Sequence, residues 1–114
     1  MGTLREVNLE LGMPTVSQAL RRLDVELSTS RKMHCAALKL IHGYGSSGSG
    51  GKIRVAVRRR LTELKQQGAI RDFIPGERFT IFEEATLAAF RLCGSLRQDP
   101  DAERYNNGVT FVIF

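Results

Sequence analysis

The 114-residue sequence predicts an α/β domain. The expected form is a two-layer sandwich with a β-α-β-α-β core, followed by an added helix and a final strand. Three observations lead to it. Short apolar segments with strand character alternate with longer segments whose apolar residues recur at helical spacing. Turn residues separate them at Gly12-Met13-Pro14, Gly68 and Pro75-Gly76. The length leaves room for one core, because domains usually run to about 100–200 residues.

The first strand is read from Arg5 onward, with Val7, Leu9 and Leu11 on one face and Glu6, Asn8 and Glu10 on the other. Thr15 and Gln18 then form a capping-box pair. Behind them Val16, Ala19, Leu20, Leu23 and Leu27 make the stripe of a first helix, with Arg21, Arg22, Asp24 and Glu26 facing away. Cys35 to Ile41, apolar except for Lys39, reads as a second strand in mid-sheet. Ile53 to Gln67 repeats helically through Val57, Leu61 and Leu64 and stops at Gly68. Ala69 to Ile74 reads as a third strand, ended by Pro75 and Gly76 at a turn. Phe82 to Cys93 is an amphipathic third helix, and Val109 to Phe114 a closing strand. Strands alternating with helices imply a mostly parallel sheet, with ligands bound where strands run into helices.

Composition narrows the function. Hydrophobic residues at 42% and charged ones at 25% are those of a packed domain and exclude a disordered or fibrous chain. No run approaches the ~18 apolar residues of a membrane span, and the first residues lack the apolar stretch of a signal peptide. A cytoplasmic protein without a membrane partner is expected. Cys35 and Cys93 have no metal-ligand or disulfide-framework spacing and read as small buried hydrophobes. The net charge of +5 is unevenly spread: residues 31–71 hold ten basic side chains and one acid, whereas residues 72–103 hold seven acids and three bases. An anionic partner docking on the middle of the chain is the corresponding expectation.

The stretch from Leu40 to Arg54 holds five of the eleven glycines. Glycine permits positive φ and close backbone approach, and a helix starting just beyond it offers unpaired N–H groups and the positive end of its dipole. Lys52 and Arg54 add formal charge where a helix start disfavours it, a cost that a bound phosphate would offset. The same composition also describes a surface hairpin with solvated arginines. A Walker A loop is excluded, because Ser46 and Ile53 stand where it needs Gly and Ser or Thr. Gly43, Gly45 and Gly48 satisfy GxGxxG, but the acid expected about 20 positions on is Glu63, inside the second helix.

His42, Gly43, Gly45, Gly48 and Arg54 resemble an HGxGxGxLR motif lengthened by extra Ser and Gly. Leu9, Leu11, Thr15, Val16, Ala19 and Leu20 are similar to LDLHGLTVEEAL, and Gly108 to Phe114, after Asn106 and Asn107, to a closing glycine turn and strand. In that order these motifs are similar to those of the Smr (small MutS-related) domain, over about residues 5–75 and 106–114. The resemblance implies one Smr-like domain over residues 1–114, with residues 76–105 as a helical insertion. It further implies binding to DNA or RNA and, in many members, endonuclease nicking of the backbone. The first motif departs from the pattern: Glu10 replaces Asp, Gly12 stands at the histidine position and Met13 at the next glycine. If that acid and histidine carry catalysis in active members, this chain has a longer carboxylate and no imidazole there.

The candidate catalytic residues are His42, as general acid or phosphate donor, and Glu10, as base or metal ligand if the first two strands are neighbours. A divalent ion such as Mg²⁺ is the cofactor considered. The candidate phosphate and nucleic-acid residues are Gly43, Tyr44, Gly45, Gly48, Lys52, Arg54 and Arg58. Tyr44 can stack on an unpaired base or pack over the loop. His34 and Cys35 carry no expected role, and Phe73, Phe79, Phe82 and Phe90 read as core or cover. Two other functions fit the same residues: a nucleotide-binding protein using the GxGxxG loop, and a protein-interaction module using the acidic end.

Overall fold

The computed structural model describes residues 2–44 and 50–114. Its elements follow the expected order: β1 (Leu4–Asn8), α1 (Val16–Lys32), β2 (Ala37–Ile41), α2 (Gly50–Gln66), β3 (Asp72–Pro75), α3 (Glu84–Leu92) and β4 (Val109–Ile113). The sheet order is β1-β2-β4-β3. β1 pairs with β2 in parallel, and β4 runs antiparallel to both β2 and β3. The expected mostly parallel sheet is therefore mixed. α1 and α2 do connect strands of like direction, whereas α3 leads from β3 into the antiparallel β4, which inserts between β2 and β3 and removes their pairing.

Alternation along the central strands divides the interior in two. Leu38, Leu40 and Val112 meet Ala19, Leu23 and Leu27 of α1 and Ile53, Val57 and Leu61 of α2. On the other face Ala37, Val109, Phe111 and Ile113 meet Phe79, Ala89, Phe90 and Leu96. Phe79 stacks on Phe111 with ring centroids 4.1 Å apart and meets Phe90 edge-on at 5.7 Å. Cys35 and Cys93 are buried free thiols. Phe82 is exposed, so it neither fills the core nor covers it.

The local signals explain most element ends. Thr15 caps α1 by accepting from Gln18 N, and Gln18 returns the bond to Thr15 N at 2.9 Å. Gly68 lies beyond α2 at φ 75°, the left-handed region that glycine enters without strain. β1 ends earlier than its alternation suggests, because Asn8 Oδ1 accepts from Glu10 N at 2.8 Å and turns the chain. Leu11 consequently leaves the expected buried face and is exposed. β3 starts later than expected and includes Pro75, which an edge strand accommodates because it needs one ladder fewer.

Candidate functional site

β1 and β2 are adjacent and parallel, with Asn8 opposite Ile41, so the residues after them emerge at the same end of the sheet. Glu10 leaves one strand and His42-Gly43-Tyr44 the other. They meet: a Cβ on Gly43 would run into the Glu10 carboxylate, and Gly43 itself sits at φ 76°. The left-handed backbone favours glycine there, and any larger residue would also have to displace the Glu10 carboxylate. The Glu10 turn is braced from α1, where Arg22 donates to Leu11 O at 2.9 Å and Leu9 O at 3.3 Å.

His42 is fully buried beneath this surface. Its Nδ1 lies 2.8 Å from Gly43 O, which can only accept, so Nδ1 carries the proton. Nε2, 2.7 Å from Thr110 Oγ1, then accepts from the hydroxyl. Thr110 Oγ1 in turn accepts from Arg58 Nε at 3.0 Å. Burial lowers the His42 pKa from 6.5 to about 4, and the nearby Arg58 and Arg54 charges push the same way against the Gly43 hydrogen bond. The ring is neutral at pH 7, and both its nitrogens are engaged in holding the loop.

Arg58 does not extend the outer cationic track. Its guanidinium turns inward and forms a fork with Glu77, at 2.8 Å for both contacts, and reaches Val109 O at 3.2 Å. Burial alone would raise the Glu77 pKa, but the Arg58 fork outweighs it and the net shift is downward. Arg60 is taken up by Asp24 of α1 at 2.7 Å. Lys52 is exposed and Arg54 half-buried at the start of α2, whose first turn has no acidic residue. Among the described residues neither forms an ion pair. With Gly51, Val55 and Val16 they line a shallow hollow between the beginnings of α1 and α2.

Tyr44 is exposed beside Gly108, whose carbonyl accepts from both His42 N and Gly43 N at 3.0 Å. The fold thus brings together Glu10, His42, Gly43 and Tyr44, and sets Lys52 and Arg54 at the start of the following helix. The proposed phosphate contacts at Gly45 and Gly48 lie outside the described residues. Among the described residues no three His, Cys, Asp or Glu side chains converge as a metal site.

Four participants escaped the sequence reading. Thr110 was visible only as one hydroxyl in an apolar strand, Glu77 as an acid after Pro75-Gly76, and Arg22 as an ordinary outward residue of a helix. Gly108 was visible as part of a closing turn, without its role as double acceptor. Glu63 lies within α2 and is exposed, so it does not stand at the end of a following strand as a dinucleotide site needs. No helix among the described residues is long and apolar enough to cross a membrane.

A mixed α/β sheet with a loop-to-helix site at the ends of two parallel strands is the class that this geometry defines. The chain is similar to the crystal structure of the Smr domain of Thermus thermophilus MutS2, with a TM-score of 0.58 and 25% sequence identity over 96% of this chain and 95% of that one. The protein has the Smr-domain fold. Comparisons with protein-family models and with curated proteins find no match.

Proposed function

We propose that the protein binds the sugar-phosphate backbone of DNA or RNA through the Gly43 turn and the start of α2. The observation that carries this reading is the placement of Lys52 and Arg54 at a helix start lacking acids, next to the Gly43 turn, in a chain with the Smr-domain fold. Backbone N–H groups and side-chain cations there favour an anion jointly. His42 serves this site by pinning the Gly43 carbonyl. The finer proposal is nicking of the phosphodiester. Glu10, whose carboxylate rests on Gly43, would take the proton from a water attacking phosphorus as the P–O bond to the leaving sugar oxygen breaks, that oxygen taking its proton from solvent, and Lys52 and Arg54 would stabilise the developing charge. The neutral, enclosed His42 ring is better placed to position the loop than to donate a proton.

The test is a fluorescence-anisotropy titration with labelled single-stranded DNA, duplex DNA and structured RNA at two salt concentrations, with products run on a denaturing gel. Binding is expected to weaken with salt, with a log–log slope of about −0.7 to −0.9 per phosphate contacted. No binding at low salt overturns the reading. Nicks that disappear in Glu10→Gln support the finer proposal, and intact strands throughout overturn it.

A further inference from the structure

We propose that the site takes unpaired nucleotides, with Tyr44 as the platform on which one base stacks. This rests on the phosphate reading above and adds the substrate class to it. Tyr44 follows Gly43 out of β2 and remains 57% exposed, so the core does not claim its ring. One edge leans on backbone: a Cβ on Gly108 would lie 2.9 Å from Tyr44 Cδ1. That support is itself tied down, since Gly108 O accepts from His42 N and Gly43 N, and Gly108 N donates to Asn106 Oδ1 at 2.9 Å. An aromatic ring already braced at one edge loses little freedom when a second flat group settles on it.

The neighbouring turn presents apolar surface as well. Leu11 and Met13 are 65% and 93% exposed, with Gly12 and Met13 in the left-handed region at φ 80° and 50°. Arg22 holds this turn, and Glu10 joins it to Gly43. Exposed apolar side chains and the outward cations of α2 therefore share one end of the sheet. A paired base has both faces covered by its neighbours in the stack, so a duplex offers an open face only at an end or defect. Phosphates accompanied by open base faces are the chemistry of a single strand.

The chain has two tyrosines and no tryptophan, so Tyr105→Phe leaves Tyr44 as its only strong emitter. This variant is titrated with DNA and RNA strands of about ten nucleotides, an abasic strand with the same phosphate count and a blunt duplex. Anisotropy of labelled strands with Tyr44→Ala and Tyr44→Phe completes the set. The expected result is quenching of Tyr44 by base-bearing single strands, which bind at least about five-fold more tightly than the abasic strand. Tyr44→Ala removes that margin without changing abasic affinity, and Tyr44→Phe retains it. The DNA and RNA arms show which sugar the site prefers. Equal binding of abasic and base-bearing strands, unmoved by Tyr44→Ala, overturns stacking and leaves the phosphate reading standing. Tighter binding of the duplex also overturns it. Failure of every strand to bind overturns both readings.

Discussion

Lys39 and His42 lie close together on and just after β2, both buried, and the protein treats them in opposite ways. Lys39 points over Phe111 on the α3 side, where its Nζ lies 2.9 Å from Asp99 and 2.6 Å from Asp101. Burial pulls its pKa down, yet the two carboxylates outweigh this and raise it, so the charge survives. Burial likewise pushes Asp101 up, and the hydrogen bonds from Lys39 and Asn106 bring it below its usual range. His42 has a hydroxyl, a carbonyl and two nearby arginines in place of a close carboxylate, and it stays neutral. The difference teaches that the partner, rather than burial, decides whether an enclosed base is charged. One centre fastens the 99–106 segment across the sheet, and the other shapes the loop.

The largest expected effect breaks the first centre. Lys39→Met leaves the buried Asp99 carboxylate and the partly exposed Asp101 without their cation and should cost about 3 kcal/mol in urea unfolding. Adding Asp99→Asn and Asp101→Asn should restore much of it, and a single-variant loss below about 1 kcal/mol would show that the pairing is not stabilising. On its alkaline side this contribution in the wild type holds up to pH 10.5 and fades as pH rises through the elevated Lys39 value.

The second centre should respond to acid. His42 has a lower pKa folded, about 4, than unfolded, 6.5, so its contribution is present above pH 6.5 and lost as pH falls toward 4. The loss should be on the order of 3 kcal/mol between pH 7 and pH 4. Asp101 and Glu77 act lower, losing their contribution as pH falls below their ordinary values of 3.8 and 4.5. A His42→Gln protein with the same slope between pH 6.5 and 4 as the wild type would contradict the assignment.

Thr110→Val preserves shape but leaves Arg58 Nε and His42 Nε2 without their shared hydroxyl. A cost of about 1–3 kcal/mol is expected by thermal or urea unfolding. An unchanged midpoint would mean that water replaces the hydroxyl. Smallest in stability is Arg54→Ala, which should leave the urea midpoint within about 0.5 kcal/mol of wild type. Its effect belongs to binding: weaker affinity across sequences and a salt slope shallower by about 0.7–0.9. Unaltered affinity at low salt would remove Arg54 from the site.

By itself the sequence determined the element order, the Thr15-Gln18 cap, the Gly68 stop, the apolar faces of α1 and α2, and the glycine turn leading into a basic helix. These are local: each depends on periodicity, a cap or a glycine's backbone freedom within a few residues. Only the tertiary structure decided the mixed sheet, because the position of β4 depends on pairing with strands distant in the chain. It also decided which cations remain outward. Arg54 and Arg58 look alike as members of one basic run, but Arg58 meets Glu77 and Thr110 from remote segments and turns inward. The same holds for His42: its place after β2 was legible, whereas its neutrality came from burial and from the hydroxyl that β4 brings to its ring.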